Sequence, residues 1–335
     1  MMRRTRNEGR VGVPGGYMVK DIVRKSEVAI GTEKFAADLD LEVVCAPAGE
    51  IVFRSTATNR PGLLFAGFDE YFPEHRIQIL GNAEMAYLES LDKTKRLSQL
   101  ERLFSKGVPC VIVTHKHPVT EDMERVAERY ATPLFVSNES TSAIESDVVH
   151  YLTTALAASD TIHGELLDIS GIGVLLIGES GIGKSETALE LVHRGHMLVA
   201  DDLVEVKRIK NKIYGYPPKR IANLLEVRGV GLIDVEAMYG VGGVLNQKRI
   251  HLVIEMEQWD DNKSYDRLGN EDLTYDILGV KFQRIVVPVS AGRNLAVVIE
   301  AASRNFRLRS MGRDALDELS SRLMEKNRPE DTDFD

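Results

Sequence analysis

The chain reads as a two-domain α/β protein, and three observations predict this. Its 335 residues exceed what one ordinary core encloses, at about 100 to 200 residues per domain. Between Val43 and Ser137 short β-rich runs alternate with helical patterns, the mark of βαβ units and of a sheet with parallel strands. From about residue 155 the strand candidates are joined by turn residues rather than helices, so a mixed sheet is expected there. An apolar fraction of 43% beside 28% charged residues suits a globular chain, not a disordered or fibrous one.

Each element follows in order. Residues 1–16 read as a flexible extension, because Gly9, Gly12, Pro14, Gly15 and Gly16 interrupt any period. The first domain, 17–154, takes strands from LEVVCAP, VPCVIVTH and TPLFVS and helices from LSQLERLFSKG and TEDMERVAERYA. Thr141 opens an amphipathic stretch with Ile144, Val148, Val149, Leu152, Ala155 and Leu156 near helical spacing, which ends at the polar Ser159 and Asp160. The second domain, 155–328, draws strands from LLDI, GVLLIG, MLVADDLVEVKRI, KIYGY, IHLVIEM and RIVVPV, with turns at Gly171 and at Lys210 to Lys212. A helical pattern runs from Leu295 through Glu325 with a break near Gly312, and residues 329–335 form an acidic, frayed tail.

Charge and cysteine usage exclude several classes. With 42 Lys+Arg against 51 Asp+Glu the formal net charge is −9, and no basic stripe appears beyond Arg3, Arg4 and Arg6, so nucleic-acid binding is not expected. Cys45 and Cys110 lie in separate apolar runs without disulfide or thiolate-metal spacing, which fits a reducing compartment. Apolar stretches such as Gly173 to Gly178 fall far short of the roughly 20 residues a membrane span needs. Asn7, Glu8 and a Gly/Pro stretch stand where a signal peptide carries its apolar region, so a cytoplasmic protein without membrane partners is expected.

One segment carries chemistry. Gly178-Glu179-Ser180-Gly181-Ile182-Gly183-Lys184-Ser185 fits G-x-x-x-x-G-K-[ST]. A β-rich GVLLI precedes it, and ETALELVHRG follows with Ala188, Leu189, Leu191 and Val192 on one helical face and Gly195 as a stop. Strand, glycine turn and helix are what phosphate binding requires: glycines turn backbone N–H groups inward, and the helix N-terminus adds partial positive charge. Lys184 then faces the β and γ phosphates and Ser185 a Mg²⁺ ion.

Downstream, His196 to Ala200 is an apolar run ending in Asp201-Asp202, a strand-end acid pair of the kind that holds Mg²⁺ or takes a proton. If the strand continues through them, the two carboxylates face opposite sides and divide these tasks; an Asx turn with one solvated carboxylate is the other reading. His163, before the LLDI strand, approaches the phosphates if that strand pairs beside the loop strand; otherwise it is a turn histidine. Glu226 and Arg228 sit with two glycines in an apolar run, a place for close approach to a ligand or for a sheet-edge ion pair. Arg267 and Arg293, taken alone, read as solvated, and His115 and His117 share a strand face without a third metal ligand.

The combination resembles the family of bifunctional HPr kinase/phosphorylases, from about Met18 to Arg309. GESGIGKSETALELVHRGHMLVADD and LLEVRGVGLIDV are its most specific parts, supported by DRLG, VPVSAGRNLAVVIE and NRPGLLFAGF. The resemblance implies a kinase in carbon catabolite regulation that phosphorylates a seryl residue of the phosphocarrier protein HPr, using ATP or pyrophosphate with Mg²⁺. It also implies phosphorolysis of phosphoseryl-HPr to HPr and pyrophosphate. Carried over by motif position, Lys184 contacts phosphates, Ser185 and Glu226 hold the metal, and Asp202 is the acid/base. His163, Arg267 and Arg293 surround the transferring phosphate. It further implies homohexamers, a first domain similar to one of Mur ligases and a second similar to the nucleotide core of phosphoenolpyruvate carboxykinase. Two other readings of the loop are a nucleotide-dependent switch and a carboxykinase-like transfer to a small metabolite.

Overall fold

The computed structural model describes residues 27–47, 49–265, 273–315 and 318. The proposed extension, the acidic tail and Arg267 lie outside them.

The first half comprises β1 (Val28–Gly31), α1 (Thr32–Asp38), β2 (Glu42–Cys45), β3 (Glu50–Phe53), β4 (Thr58–Asn59), α2 (Gly62–Phe65) and β5 (Ile77–Leu80). It continues with α3 (Asn82–Ser90), α4 (Lys93–Phe104), β6 (Val111–Val113), α5 (Glu121–Arg129), β7 (Leu134–Val136) and α6 (Thr141–Ala155). Five strands form a sheet in the order β2-β7-β6-β5-β4. Strands β4 to β7 run parallel and β2 antiparallel, as the alternating pattern predicts. Both sheet faces are covered. One core gathers Leu100, Leu103, Phe104, Met123 and Val126 from α4 and α5; the other packs Phe35, Ile144, Val148 and Leu152 from α1 and α6. Asp92, Thr120 and Ser140 cap α4, α5 and α6, each side chain accepting from the backbone N–H three residues on. Cys45 and Cys110 are buried and free, and burial pushes the Cys110 thiol up.

The second half comprises β8 (Ala158–His163), β9 (Glu165–Ile169), β10 (Ile172–Gly178), α7 (Lys184–His193), β11 (Met197–Ala200), β12 (Leu203–Ile209), β13 (Lys212–Tyr216), β14 (Leu224–Val227) and β15 (Gly231–Asp234). Then come α8 (Val235–Tyr239), β16 (Lys248–Arg249), β17 (Leu252–Gln258), β18 (Thr274–Ile277), β19 (Val280–Val289) and α9 (Leu295–Ser310). A six-stranded sheet, β11-β9-β10-β17-β19-β18, lies against a four-stranded one, β16-β13-β12-β8. The first is mixed: β10, β17 and β19 are parallel, while β9, β11 and β18 join antiparallel. Alternate residues of β10 divide between two cores. Val174 and Leu176 pack with Leu191 and Ile299 under α7 and α9, and Leu175 and Ile177 with Val204, Val206 and Ile213 of the second sheet. A strand buried on both faces reads as the unbroken apolar run GVLLI.

Two tight turns follow expectation. Ile169 pairs with Ile172 across Ser170 and Gly171, and Ile209 with Lys212 across Lys210 and Asn211. Ser170, Gly171 and Lys210 have positive φ, as two-residue hairpins demand. Three expectations change. MLVADDLVEVKRI is two strands in different sheets, because the chain bends at Asp201-Asp202. Ser159 and Asp160 are not a polar stop but part of β8, paired to β12. His115 and His117 do not share a strand face: β6 ends at Val113, His115 takes φ 58°, and His117 Nε2 bonds Asn82 Oδ1 at 2.7 Å.

Candidate active site

Two of the points at which the sheets of the second half exchange chain are neighbours, and these crossings assemble the site. At Gly164 the backbone leaves β8 of the four-stranded sheet and enters β9 of the six-stranded one; at Asp201-Asp202 it passes back from β11 to β12. The crossings lie side by side, since Leu203 pairs with His163 and Ala200 with Leu166, and Gly164 N donates to Asp202 O at 3.0 Å. Glycine is required at the first: a Cβ on Gly164 would stand 2.4 Å from Leu176 O. Asp202 takes φ 59°, and Leu203 N reaches back to Asp201 O at 2.7 Å, a tight reversal that turns the Asp202 side chain outward. This geometry replaces the expectation of a continuous strand: the two carboxylates part company through the turn, not through strand alternation.

The glycine loop sits next to both crossings. It leaves β10 at Gly178 and ends on Lys184, the first residue of α7. Gly178, Gly181 and Gly183 have φ of 148°, 84° and 99°, conformations that side-chain-bearing residues rarely adopt. A Cβ on Gly178 would approach Met256 O to 2.4 Å, and one on Gly181 the Arg228 guanidinium to 2.5 Å. The α7 N-terminus has no side-chain cap; Lys184 Nζ donates to Gly178 O and Glu179 O at 3.2 and 3.1 Å, which holds the ammonium over the loop. Ile182 packs into the core below, and Gly195, at φ 93°, closes the helix end as expected. Ser180, Gly181, Gly183, Lys184, Ser185, Glu165, Asp201, Asp202, Glu226 and Arg228 line a cleft of about 140 Å³.

Inside it the carboxylates differ sharply. Asp202 is 77% exposed at the rim, with its Oδ1 3.9 Å from His163 Nδ1. Asp201 is buried; its Oδ2 accepts from Glu226 N at 3.0 Å and its Oδ1 lies 3.3 Å from Ser185 Oγ. Burial pushes its carboxyl above the ordinary range against the pull of the Glu226 N–H. Glu165 is only 1% exposed, with Oε1 3.1 Å from Ser185 Oγ and Oε2 buried without a hydrogen-bond partner. Burial, and then the neighbouring Asp201 charge, push its carboxyl well upward.

Of the residues singled out in sequence, Lys184, Ser185, Asp202 and Glu226 therefore meet in one cleft, with His163 beside Asp202. Glu226 and Arg228 stand on the β14–β15 hairpin, whose Gly229 and Gly231 have positive φ. Arg293 is set apart: it is exposed, and its Nη1 donates to Pro288 O at 3.0 Å. Arg267 falls outside the described residues. Glu165 was not foreseen, although an acid heading the otherwise apolar ELLDI run was a readable signal, because buried acids need a partner. A larger cavity, of about 520 Å³ between β17, β19 and α9, lacks the loop, and its acids are matched by bases: Glu255 by Arg284 at 3.0 Å and Glu257 by Lys263.

Strand, left-handed glycine turn and uncapped helix define the class: an α/β protein with a phosphate-binding loop of P-loop type. The comparisons narrow this. Residues 30–152 match the family described as HPr Serine kinase N terminus, and residues 154–323 that described as HPr Serine kinase C-terminal domain. The HPr kinase/phosphorylase of Alkaliphilus metalliredigens is 44% identical over 88% of this chain and 96% of its own length. That of Bacillus cytotoxicus is 42% identical over 88% and 96%. The solved Hpr(Ser) kinase/phosphatase of Coxiella burnetii is 37% identical, with a TM-score of 0.44, covering 48% of this chain and 98% of that one. The chain belongs to the HPr kinase/phosphorylase family. Among the described residues no helix is long and apolar enough to cross a membrane.

Proposed function

We propose that this chain transfers the terminal phosphoryl group of ATP, or of pyrophosphate, to a seryl hydroxyl of HPr and also runs phosphorolysis of phosphoseryl-HPr. The observation that carries this reading is the position of Asp202: a strongly exposed carboxylate on a fixed turn at the rim of a phosphate loop. A protein hydroxyl can reach such a group, whereas the buried Asp201 and Glu165 are closed to one.

In the forward direction the serine oxygen bonds to the terminal phosphorus, the bond to the bridging oxygen breaks, and the serine proton passes to Asp202. In reverse, an oxygen of inorganic phosphate attacks the phosphoserine phosphorus, the bond to the serine oxygen breaks, and Asp202 returns the proton to that oxygen. Pyrophosphate leaves. One carboxyl thus serves both directions. Lys184 and the loop N–H groups hold the donor phosphates and stabilise the charge that spreads over the phosphoryl oxygens. Ser185 and Glu226, both lining the cleft, would hold Mg²⁺, whose charge offsets that of the phosphate oxygens. The residues fit such an ion: the buried, unpartnered oxygen of Glu165 beside Ser185 is what a cation would satisfy. His163 stands 3.9 Å from Asp202 and is assigned to the surroundings of the transferring phosphate. Arg293, and Arg267 by motif alone, are assigned to the transferring phosphate, which for Arg293 requires release from Pro288 O.

The phosphate chemistry is assigned to 155–328, and 17–154 to scaffolding or assembly of a homohexamer. The free, buried thiols fit a reducing cytoplasm. Incubation with γ-labelled ATP, Mg²⁺ and HPr tests the reading: label should appear on an HPr serine, and added phosphate should then release it as pyrophosphate. Label found only as free phosphate would favour a nucleotide switch, and activity without any protein acceptor a small-metabolite kinase.

A further inference from the structure

The Glu165 carboxylate heads a strand that is otherwise apolar. Leu167 and Ile169 lie on its face of β9 and pack under α7, so strand alternation aims Glu165 at the first turn of α7, where Ser185 sits. Gly164 makes that placement possible by letting the chain cross between sheets against Leu176 O. The carboxyl is 1% exposed, lines the phosphate cleft and keeps one oxygen unpartnered. A second buried carboxylate, Asp201, faces the same hydroxyl. Two acids sharing one serine hydroxyl are short of positive charge: the single proton of Ser185 serves one of them, and Lys184 directs its ammonium to the loop carbonyls. Leaving buried acids in this condition is costly unless a cation or a shared proton intervenes.

We propose that Glu165 is a further protein contributor to the divalent-cation site, acting with Asp201 behind Ser185, either on the ion or on water bound to it. This rests on the functional reading above, which places Ser185 and Glu226 on the ion, and extends it inward. The donor set suits a small hard cation. Mg²⁺ favours one or two carboxylates together with substrate phosphates and retained water; among the described residues no three His, Cys, Asp or Glu side chains stand close enough to hold an ion by themselves, these included, so phosphate and water would complete its shell. Asp201 has its second oxygen fixed by Glu226 N, which ties the hairpin carrying Glu226 to this pair. Glu226 would serve the cation from the hairpin and the Glu165–Asp201 pair from the core, with one or two of these carboxylates on the ion and the rest acting through its bound water.

The test is Mn²⁺ binding to the full-length chain with a non-hydrolysable ATP analogue, read by the paramagnetic resonance of free Mn²⁺, with melting temperatures with and without the ion. Glu165→Gln should weaken Mn²⁺ on the order of 10- to 100-fold, as loss of a supporting group around a metal does. It should also melt no lower than the parent without metal, because a carboxyl that burial disfavours is replaced by a neutral amide, and gain less on adding Mn²⁺. Unchanged Mn²⁺ affinity in Glu165→Gln would overturn the proposal and leave the residue as a structural acid sharing a proton with Asp201. Ser185→Ala separates the two readings. If it binds Mn²⁺ as the parent does while Glu165→Gln does not, the Ser185 assignment fails and the Glu165 one stands; if the parent binds no Mn²⁺, both fail. Should Glu165→Gln not fold, Glu165→Asp carries the test: it retracts the carboxylate by one methylene and should weaken Mn²⁺ likewise, equal affinity again overturning the proposal.

Discussion

Two strand–glycine–helix junctions, one in each half of the molecule, have opposite chemistry. In the first half β5 ends at Leu80, Gly81 follows, and α3 begins; Glu84 in its first turn accepts from Gly81 N at 3.0 Å and from Arg60 at 2.7 Å. In the second half β10 runs through Gly178, and α7 begins without a side-chain cap, with Lys184 as its first residue. Both helices offer positive N-termini at the end of a parallel strand. One turns its own carboxylate onto the N–H that precedes it, at Gly81; the other leaves its N–H groups for a ligand. Both first turns carry an acid at the same position, so what differs is its engagement: Glu84 is turned back on Gly81 N and held by Arg60, whereas Glu186 makes no such bond among the described residues and α7 is left open. The open helix is secured at its other end. Glu300 of α9 accepts from Arg194 at 2.9 Å and lies 2.8 Å from His196 Nε2, tying down the residues that follow α7.

The comparison can be broken most forcibly at the open junction. Gly181→Val adds a side chain at φ 84°, aimed at the Arg228 guanidinium. Nucleotide affinity, measured by titration calorimetry, should fall on the order of 100-fold or more, as misplacement of positioning groups does. At the closed junction Glu84→Ala removes the partner of Gly81 N and Arg60 together. Stability should drop by about 1 to 3 kcal/mol in urea unfolding, with nucleotide affinity unchanged. An affinity change there would show that the two junctions are coupled.

A smaller effect sharpens the account of the far end of α7. The bond from Arg194 holds the Glu300 carboxyl below the ordinary glutamate range, opposed by burial and aided by His196. A depressed carboxyl stabilises the fold above its unfolded value, and that contribution is lost as pH falls through the folded value. Glu300→Gln should therefore be less stable than the parent near neutral pH, with the difference closing as the solution is acidified. A difference independent of pH would mean that the cluster acts by packing alone.

Local features were legible in sequence and long-range ones were not. The loop from Gly178 to Ser185 is contiguous, so strand, glycines, lysine and helix could be read together, and Gly195 closes α7 where expected. The fold class followed from patterning for the same reason. Nothing in MLVADDLVEVKRI shows that the chain changes sheets at Asp201, because both pieces read as strand and the bend is visible only once Leu203 pairs with His163. Glu165 was hidden for a related reason: its partners, Ser185 and Asp201, lie 20 and 36 residues away and meet it only through sheet pairing. The closed junction at Gly81 depends on Arg60, which comes from another loop and carries no motif.

The exposed acid at the rim of the loop is the centre of the account, and Asp202→Asn tests it most directly. Label transfer from ATP to HPr serine and pyrophosphate release from phosphoseryl-HPr should be measured on the same preparation, with nucleotide affinity alongside. Both rates should fall by about 10²- to 10⁴-fold, the usual worth of a positioned acid/base, while affinity is retained. Either rate persisting at the parent level would contradict the assignment of one carboxyl to both directions.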